Sequence, residues 1–205
     1  MPNFQNEKKL VLDYWNEVDK CNNQDLEKII SKYTSNNFHM RCTHPFNELD
    51  GVEQVANQLW VPIKKSFKPI QRRLDIFYAG ENSLDENGGV WISSMGHLMG
   101  VFNKNFFGLQ PHYKSSLLRF AEFYKVEGNK ITEGAIFLDI FNFMQQLGLS
   151  IIPESTGLVC VTPGPMNHKG LKFDLSDNNE GEKTLELIHR MRDRLVKGSN
   201  MKSFK

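Results

Sequence analysis

Asp139 lies within Ile136–Phe141 (IFLDIF), a stretch that is otherwise apolar. An ionised carboxylate there is costly without partners. Desolvation raises a carboxyl pKa towards the range useful for general acid–base catalysis. The same residue stands just before a helix, where a carboxylate serves as a cap, and both readings stay open. His97 shares one face of a strand with Trp91, Ser93, Met95 and Met99 under strict alternation. A histidine among apolar residues is either a proton shuttle or ligand contact, or a hydrogen-bonded core residue. His44 precedes Pro45 at a strand end, as a pocket contact or a turn residue, and His112 sits in an inter-strand loop. Trp60 is either the floor of a pocket or plain core. Arg119, flanked by Leu117, Leu118, Phe120 and Ala121, needs a carboxylate, a ligand or water. Glu122 falls on the other face of that strand, so the two need not pair.

The remaining composition narrows the chemistry. His-Glu-x-x-His, the Gly-x-x-x-x-Gly-Lys-Ser/Thr phosphate loop, Gly-x-Gly-x-x-Gly and Gly-x-Ser-x-Gly are all missing. Cys21, Cys42 and Cys160 are far apart and form no Cys-x-x-Cys, which argues against a zinc site or a disulfide framework. Neither a metal nor a cofactor is expected. Lys and Arg number 25 against 24 Asp and Glu, so the net charge of +1 gives no electrostatic case for nucleic acid or an anionic membrane surface. No apolar run approaches the roughly 18 residues of a membrane-spanning helix. Asp13 and Glu17 interrupt the first apolar stretch, so no secretory signal is expected and the expected setting is cytoplasmic, with reduced thiols. The 205 residues are 40% hydrophobic and include 15 Phe, enough for one full core with bulky walls.

These residues need elements to hold them. Leu10, Val11, Tyr14, Trp15 and Val18 mark an amphipathic helix over 7–20, and Leu26, Ile29, Ile30 and Tyr33 a second over 24–33. A strand follows at Phe38–His44. Asp50 opens a third helix with Glu53 as its capping-box partner, and Pro62 kinks or ends it. Strands are expected at 70–80, 90–102, 115–126 and 131–140. The last three, joined by turns, form an antiparallel meander. A short helix over 141–147 stops at Gly148. Residues 153–170, rich in Pro, Gly and Thr, read as an extended arm, and 182–197 as a last amphipathic helix. Helices followed by a curved antiparallel sheet make an α+β fold, a cone whose open mouth suits a small apolar ligand. The expected division is a domain over 1–150 and a linker-like arm with a C-terminal helix over 151–205.

His44–Trp60 (HPFNELDGVEQVANQLW), Gly96–Phe102 (GHLMGVF), Leu118–Ile131 (LRFAEFYKVEGNKI) and Leu138–Gly148 (LDIFNFMQQLG) resemble, in order and spacing, the SnoaL-like polyketide (ester) cyclase family of the nuclear-transport-factor-2-like superfamily. The resemblance implies a cone-shaped α+β barrel over roughly residues 5–150, commonly dimerising through its sheet. It further implies intramolecular aldol chemistry without metal or cofactor. Asp139 would be the general acid/base, His97 a helper near the developing oxyanion, and His44, Trp60, Trp91 and Arg119 substrate contacts.

Three functions compete. The first is a cyclase- or isomerase-type acid–base catalyst on a small, largely apolar carbonyl compound. The second is a non-catalytic ligand-binding or dimerisation module in which Asp139 merely caps a helix, and a pocket without an acid–base pair would favour it. The third is an enzyme resembling limonene-epoxide hydrolase, which needs an Asp–Arg–Asp arrangement, here Asp139, Arg119 and Asp75.

Overall fold

The chain begins with two helices whose inward residues recur at helical spacing. In α1 (Gln5–Lys20) the buried face carries Val11, Tyr14, Trp15 and Val18. A 3₁₀ turn, Asn23–Asp25, leads into α2 (Leu26–Tyr33), which buries Leu26, Ile30 and Tyr33. The computed structural model describes residues 4–82, 88–149, 153, 164–175 and 179–199.

β1 (Thr34–Cys42) starts directly after α2 and ends before His44. β2 (Glu48–Asp50) is a three-residue strand antiparallel to it. Next comes a helical passage of three parts: α3 (Gly51–Gln54), a π-helical turn (Val55–Trp60) and α4 (Val61–Ser66). Pro62 does not end this helix. It sits in the first turn of α4, next to the widened turn, where the hydrogen-bond ladder is already shifted and a missing N–H does least harm. The expected capping box is not formed either. The Asp50 carboxylate meets His39 Nδ1 at 2.7 Å, and the Asp50 N–H donates to Gln54 Oε1 rather than to Glu53.

Four long strands complete the sheet: β3 (Phe67–Glu81), β4 (Val90–Phe102), β5 (Ser115–Glu127) and β6 (Lys130–Leu138). The curved, unclosed six-stranded sheet has the order β2-β1-β6-β5-β4-β3. β3 to β6 form an antiparallel meander. The sheet is not wholly antiparallel, because β1 lies parallel to β6, with Met40 opposite Gly134.

One face of the sheet meets the helices. Ile92, Leu98 and Phe102 of β4, Leu118, Phe120 and Tyr124 of β5, and Ile136 and Leu138 of β6 join the helical residues in one core. Gly96 and Gly134 sit on this face where chains come close: a Cβ on Gly96 would collide with the Arg73 carbonyl oxygen, and one on Gly134 with Met40 Sδ.

α5 (Ile140–Gln146) closes the meander, with Gly148 at φ 77° and a Leu149 N–H bond to Met144 O, a Schellman ending. The chain divides into a unit over Met1–Phe173 and a second over Asp174–Lys205. Within the first unit, residues 170–172 run beside β3. Phe77 N–H bonds Gly170 O at 2.8 Å, and Lys172 N–H bonds Phe77 O at 2.7 Å. Phe173 lies against the Phe77 ring at 5.2 Å, and Lys8 Nζ reaches Lys172 O. The second unit contains α6 (Asn179–Ser199), on which Leu185, Ile188, Met191 and Leu195 are exposed. No helix among the described residues is long and apolar enough to cross a membrane.

Candidate functional site

A pocket of about 460 Å³ lies at the rim of the sheet, lined by His44, Pro45, Phe106, Phe107, Leu109, Ile140 and Met144. Three segments build it. The turn after β1 supplies His44 and Pro45, and it is tied to β6 by Thr43 N–H to Ile136 O and by Leu138 N–H to Thr43 Oγ1 at 3.1 Å. The β4–β5 connection supplies Phe106, Phe107 and Leu109. α5 supplies Ile140 and Met144 from its outer side, while Phe143 turns inward.

Beneath this rim the interior is filled. Phe143 packs against Phe67 at 5.2 Å and Phe102 at 5.0 Å, and Phe106 against Phe67 at 5.5 Å. All of these rings are buried. The Phe content expected to supply bulky walls packs this end of the core.

Asp139 is the N-cap of α5. Its Oδ1 accepts the Asn142 N–H at 2.9 Å, and its own N–H bonds Arg119 O at 3.0 Å. It precedes the pocket-lining Ile140 but does not itself line the pocket. His97 does not line the rim pocket either. His97 lies on the sheet face turned away from the helices, with Nδ1 3.2 Å from Asp75 Oδ2. Arg119 is its neighbour across β5. With Arg119 between them, His97 and Asp139 are two strand spacings apart, about 10 Å. Trp91 is on that outer face too, in a shallow groove with Tyr78, Ser93 and Phe123.

Trp60 is fully buried. Its Nε1–H donates to Tyr14 OH at 3.3 Å, so it belongs to the core rather than to the rim pocket. Of the residues expected to form one site, only His44 lines the rim pocket. For Trp91 and His97 the cause is the phase of β4. Ile92, Leu98 and Phe102 take the helix-covered face and leave Trp91, Met95, His97 and Met99 on the other. Both sets are apolar enough to have been the inner one. His112 contacts Ser116 Oγ at 3.4 Å and stays outside the rim pocket lining.

The sheet interior holds a polar cluster that the sequence reading missed. Arg72 bonds Asp19 Oδ2 through Nε at 2.9 Å and Glu122 Oε1 through an Nη at 2.8 Å. Its guanidinium lies 4.9 Å from the Trp15 ring, 5.1 Å from Phe120 and 5.4 Å from Trp60. Burial pushes the Glu122 carboxyl above the usual carboxylate range, against the opposing pull of Arg72. Glu122 Oε2 and Tyr124 OH are buried without a hydrogen-bond partner. Strict alternation through Leu118, Phe120, Glu122 and Tyr124 was the available signal for Glu122. Arg72, in the polar run Gln71–Arg73, gave none.

This carboxylate–guanidinium–carboxylate arrangement is built from Asp19, Arg72 and Glu122. Of the trio Asp139, Arg119 and Asp75, Asp75 is paired with His97 and Asp139 caps α5. No member of the interior cluster lines the rim pocket. Among the described residues, no group of three or more His, Cys, Asp or Glu is placed to hold a metal ion.

No family model matches the chain, and no curated protein sequence matches it. Solved structures do share its fold. Wild-type IdmH from Streptomyces antibioticus, provisionally named a polyketide cyclase, superposes with a TM-score of 0.54 at 11% identity, over 69% of this chain and 97% of that one. AclR from Streptomyces galilaeus, provisionally named a hydroxylase, gives 0.53 at 21% identity, over 69% and 96%. A protein from Jannaschia sp. CCS1, provisionally named a SnoaL-like polyketide cyclase, gives 0.52 at 15%, over 73% and 94%. The chain therefore shares the fold of these proteins. Because these neighbours bear the names of different reactions, the fold does not choose among them.

Proposed function

We propose that this chain binds a small, largely apolar carbonyl compound of polyketide type in the rim pocket, without a cofactor. The supporting observation is the pocket wall, in which Phe106, Phe107, Leu109, Ile140 and Met144 surround a single titratable side chain, His44. Such a wall favours apolar binding with one polar contact to orient the ligand. A titration with aromatic ketones, repeated on Met144→Arg, tests the reading. Binding abolished by that charge supports it, and binding unchanged by it sinks it.

Turnover of the same ligand, by cyclase- or isomerase-type proton transfer, is the second reading. It is favoured by the position of Asp139 immediately before the pocket wall, with only Oδ1 engaged by the cap. Asn caps a helix as well as Asp, so Asp139→Asn separates chemistry from folding. Lost turnover with an unchanged melting temperature assigns Asp139 to proton transfer. Retained turnover leaves it a cap.

The wider setting we propose is a cytoplasmic homodimer. Cys21 and Cys42 are free thiols, which suits a reducing compartment. The outer sheet face presents Tyr78 and Phe137 half exposed, beside Trp91 and Phe123, as an apolar surface for a second copy.

A further inference from the structure

The β4–β5 connection contains a two-residue hairpin loop, Phe107–Gly108. Phe106 N–H bonds Leu109 O at 3.2 Å, and Leu109 N–H bonds Phe106 O at 3.0 Å. Both loop residues have positive φ, 48° at Phe107 and 89° at Gly108. A loop of this kind takes Asn-Gly at least cost, because Asn and Gly enter the left-handed region readily. Gly108 meets that demand, whereas a bulky ring at the first position is an outlier.

The ring is not needed to make the turn. Asn105 Oδ1 already accepts the Gly108 N–H at 3.0 Å. Nor is the strain offset by burial, since Phe107 is 53% exposed. It is held edge-on by Phe46 at 5.1 Å and Phe106 at 4.9 Å, and it lines the rim pocket. Backbone strain retained at a pocket edge, with a side chain the turn does not require, points to a role for that side chain.

We infer that Phe107 is the specificity-determining contact of the rim pocket, and that the ligand it selects carries a planar conjugated ring. This rests on the ligand-binding reading above. Two aromatic neighbours fix the ring edge-on and leave its remaining surface for a third ring in an offset-stacked or edge-to-face arrangement. The thioether of Met144 and the imidazole of His44 are suitable walls for such a ring.

The test uses the full chain and prodan, a planar naphthyl ketone whose fluorescence reports a dry environment. Phe107→Asn installs the residue the turn prefers, and Phe107→Tyr keeps the ring. The expected result is binding to wild type and to Phe107→Tyr, with affinity lowered at least tenfold in Phe107→Asn, whose circular dichroism stays native. Acetonaphthone should displace prodan and flexible decanone should not. Equal affinity in Phe107→Asn, or equal displacement by decanone, overturns the assignment of Phe107 while leaving the pocket reading intact. No binding of prodan or acetonaphthone to wild type overturns this inference, and calorimetric titration of decanone into wild type and Met144→Arg then decides the pocket reading separately.

Discussion

Glu122 is completely buried and only one of its carboxyl oxygens is bonded, to Arg72. Its raised pKa means that the folded protein holds this proton more tightly than the unfolded chain does. The stability this group contributes is therefore fully present below the ordinary carboxyl range. It is lost as pH rises through the raised folded value. Denaturation midpoints measured against pH should show wild type losing ground to Glu122→Gln, which cannot ionise, as pH increases. A flat or rising difference would contradict the direction of the shift. At Asp139 the expectation is opposite in kind. Asp139→Ala should cost about 1 kcal/mol by removing the cap, and Asp139→Asn almost nothing, as read by chemical unfolding. Single residues were the least legible level of the sequence. The pattern gave the alternation of β4 and β5 correctly but not which phase was inner, because Trp91, Met95 and Met99 are as apolar as Ile92, Leu98 and Phe102. Arg72 could not be found from its neighbours, since its partners Asp19 and Glu122 lie on α1 and β5.

At the scale of elements, the register of β3 on β4 is set by a bulge between Leu74 and Ile76, opposite Gly96. Gly96 is what allows the Arg73 carbonyl to approach there, so Gly96→Ala must push the two strands apart. A loss of about 1–3 kcal/mol is expected, comparable to overpacking a core. Gly51→Ala, at a site with open space, is a poor control because its φ is 77°. Gly80→Ala, also in open space but without that constraint, should be nearly neutral. Urea midpoints of the two variants measure the contrast. Elements were far more legible than residues. β4 spans 90–102, as alternation and the flanking turns suggested, and α5 stops at Gly148 as its glycine implied. β2 was missed because three residues carry no period. The parallel pairing of β1 with β6 was missed because local pattern holds no information about a distant partner. Pro62 misled for a related reason: the π-helical turn that accommodates it has no sequence signature of its own.

At the scale of the whole molecule, composition marked residues 153–170 as an arm without showing where it goes. The structure seats 170–172 on β3 through the two Phe77 hydrogen bonds and places Phe173 on the Phe77 ring. A chain ending at Leu175 should keep the unfolding midpoint of the first unit, and a chain ending at Leu149 should lose about 2–4 kcal/mol, from lost hydrogen bonds and newly exposed apolar surface. Calorimetry on the two truncations distinguishes a structural arm from a mere tether. The proposed homodimer is a property of the same scale. Phe137→Arg, placing a charge on the half-exposed outer face, should shift sedimentation from dimer to monomer without changing helical content. An unchanged dimer would put the contact elsewhere.

The seating of the arm on β3 has a further consequence. β3 is the long terminal strand of the sheet, and the opposite end is closed by β2, only three residues long. A long open strand is a template on which other chains can add, the first step towards edge-to-edge aggregation. Here Pro69 removes one donor from the strand, and the arm occupies the backbone groups of Phe77 near its middle. Residues 170–172 thus cover part of the edge on which copies could add, and cells making the chain without them should accumulate insoluble protein before they show any loss of binding.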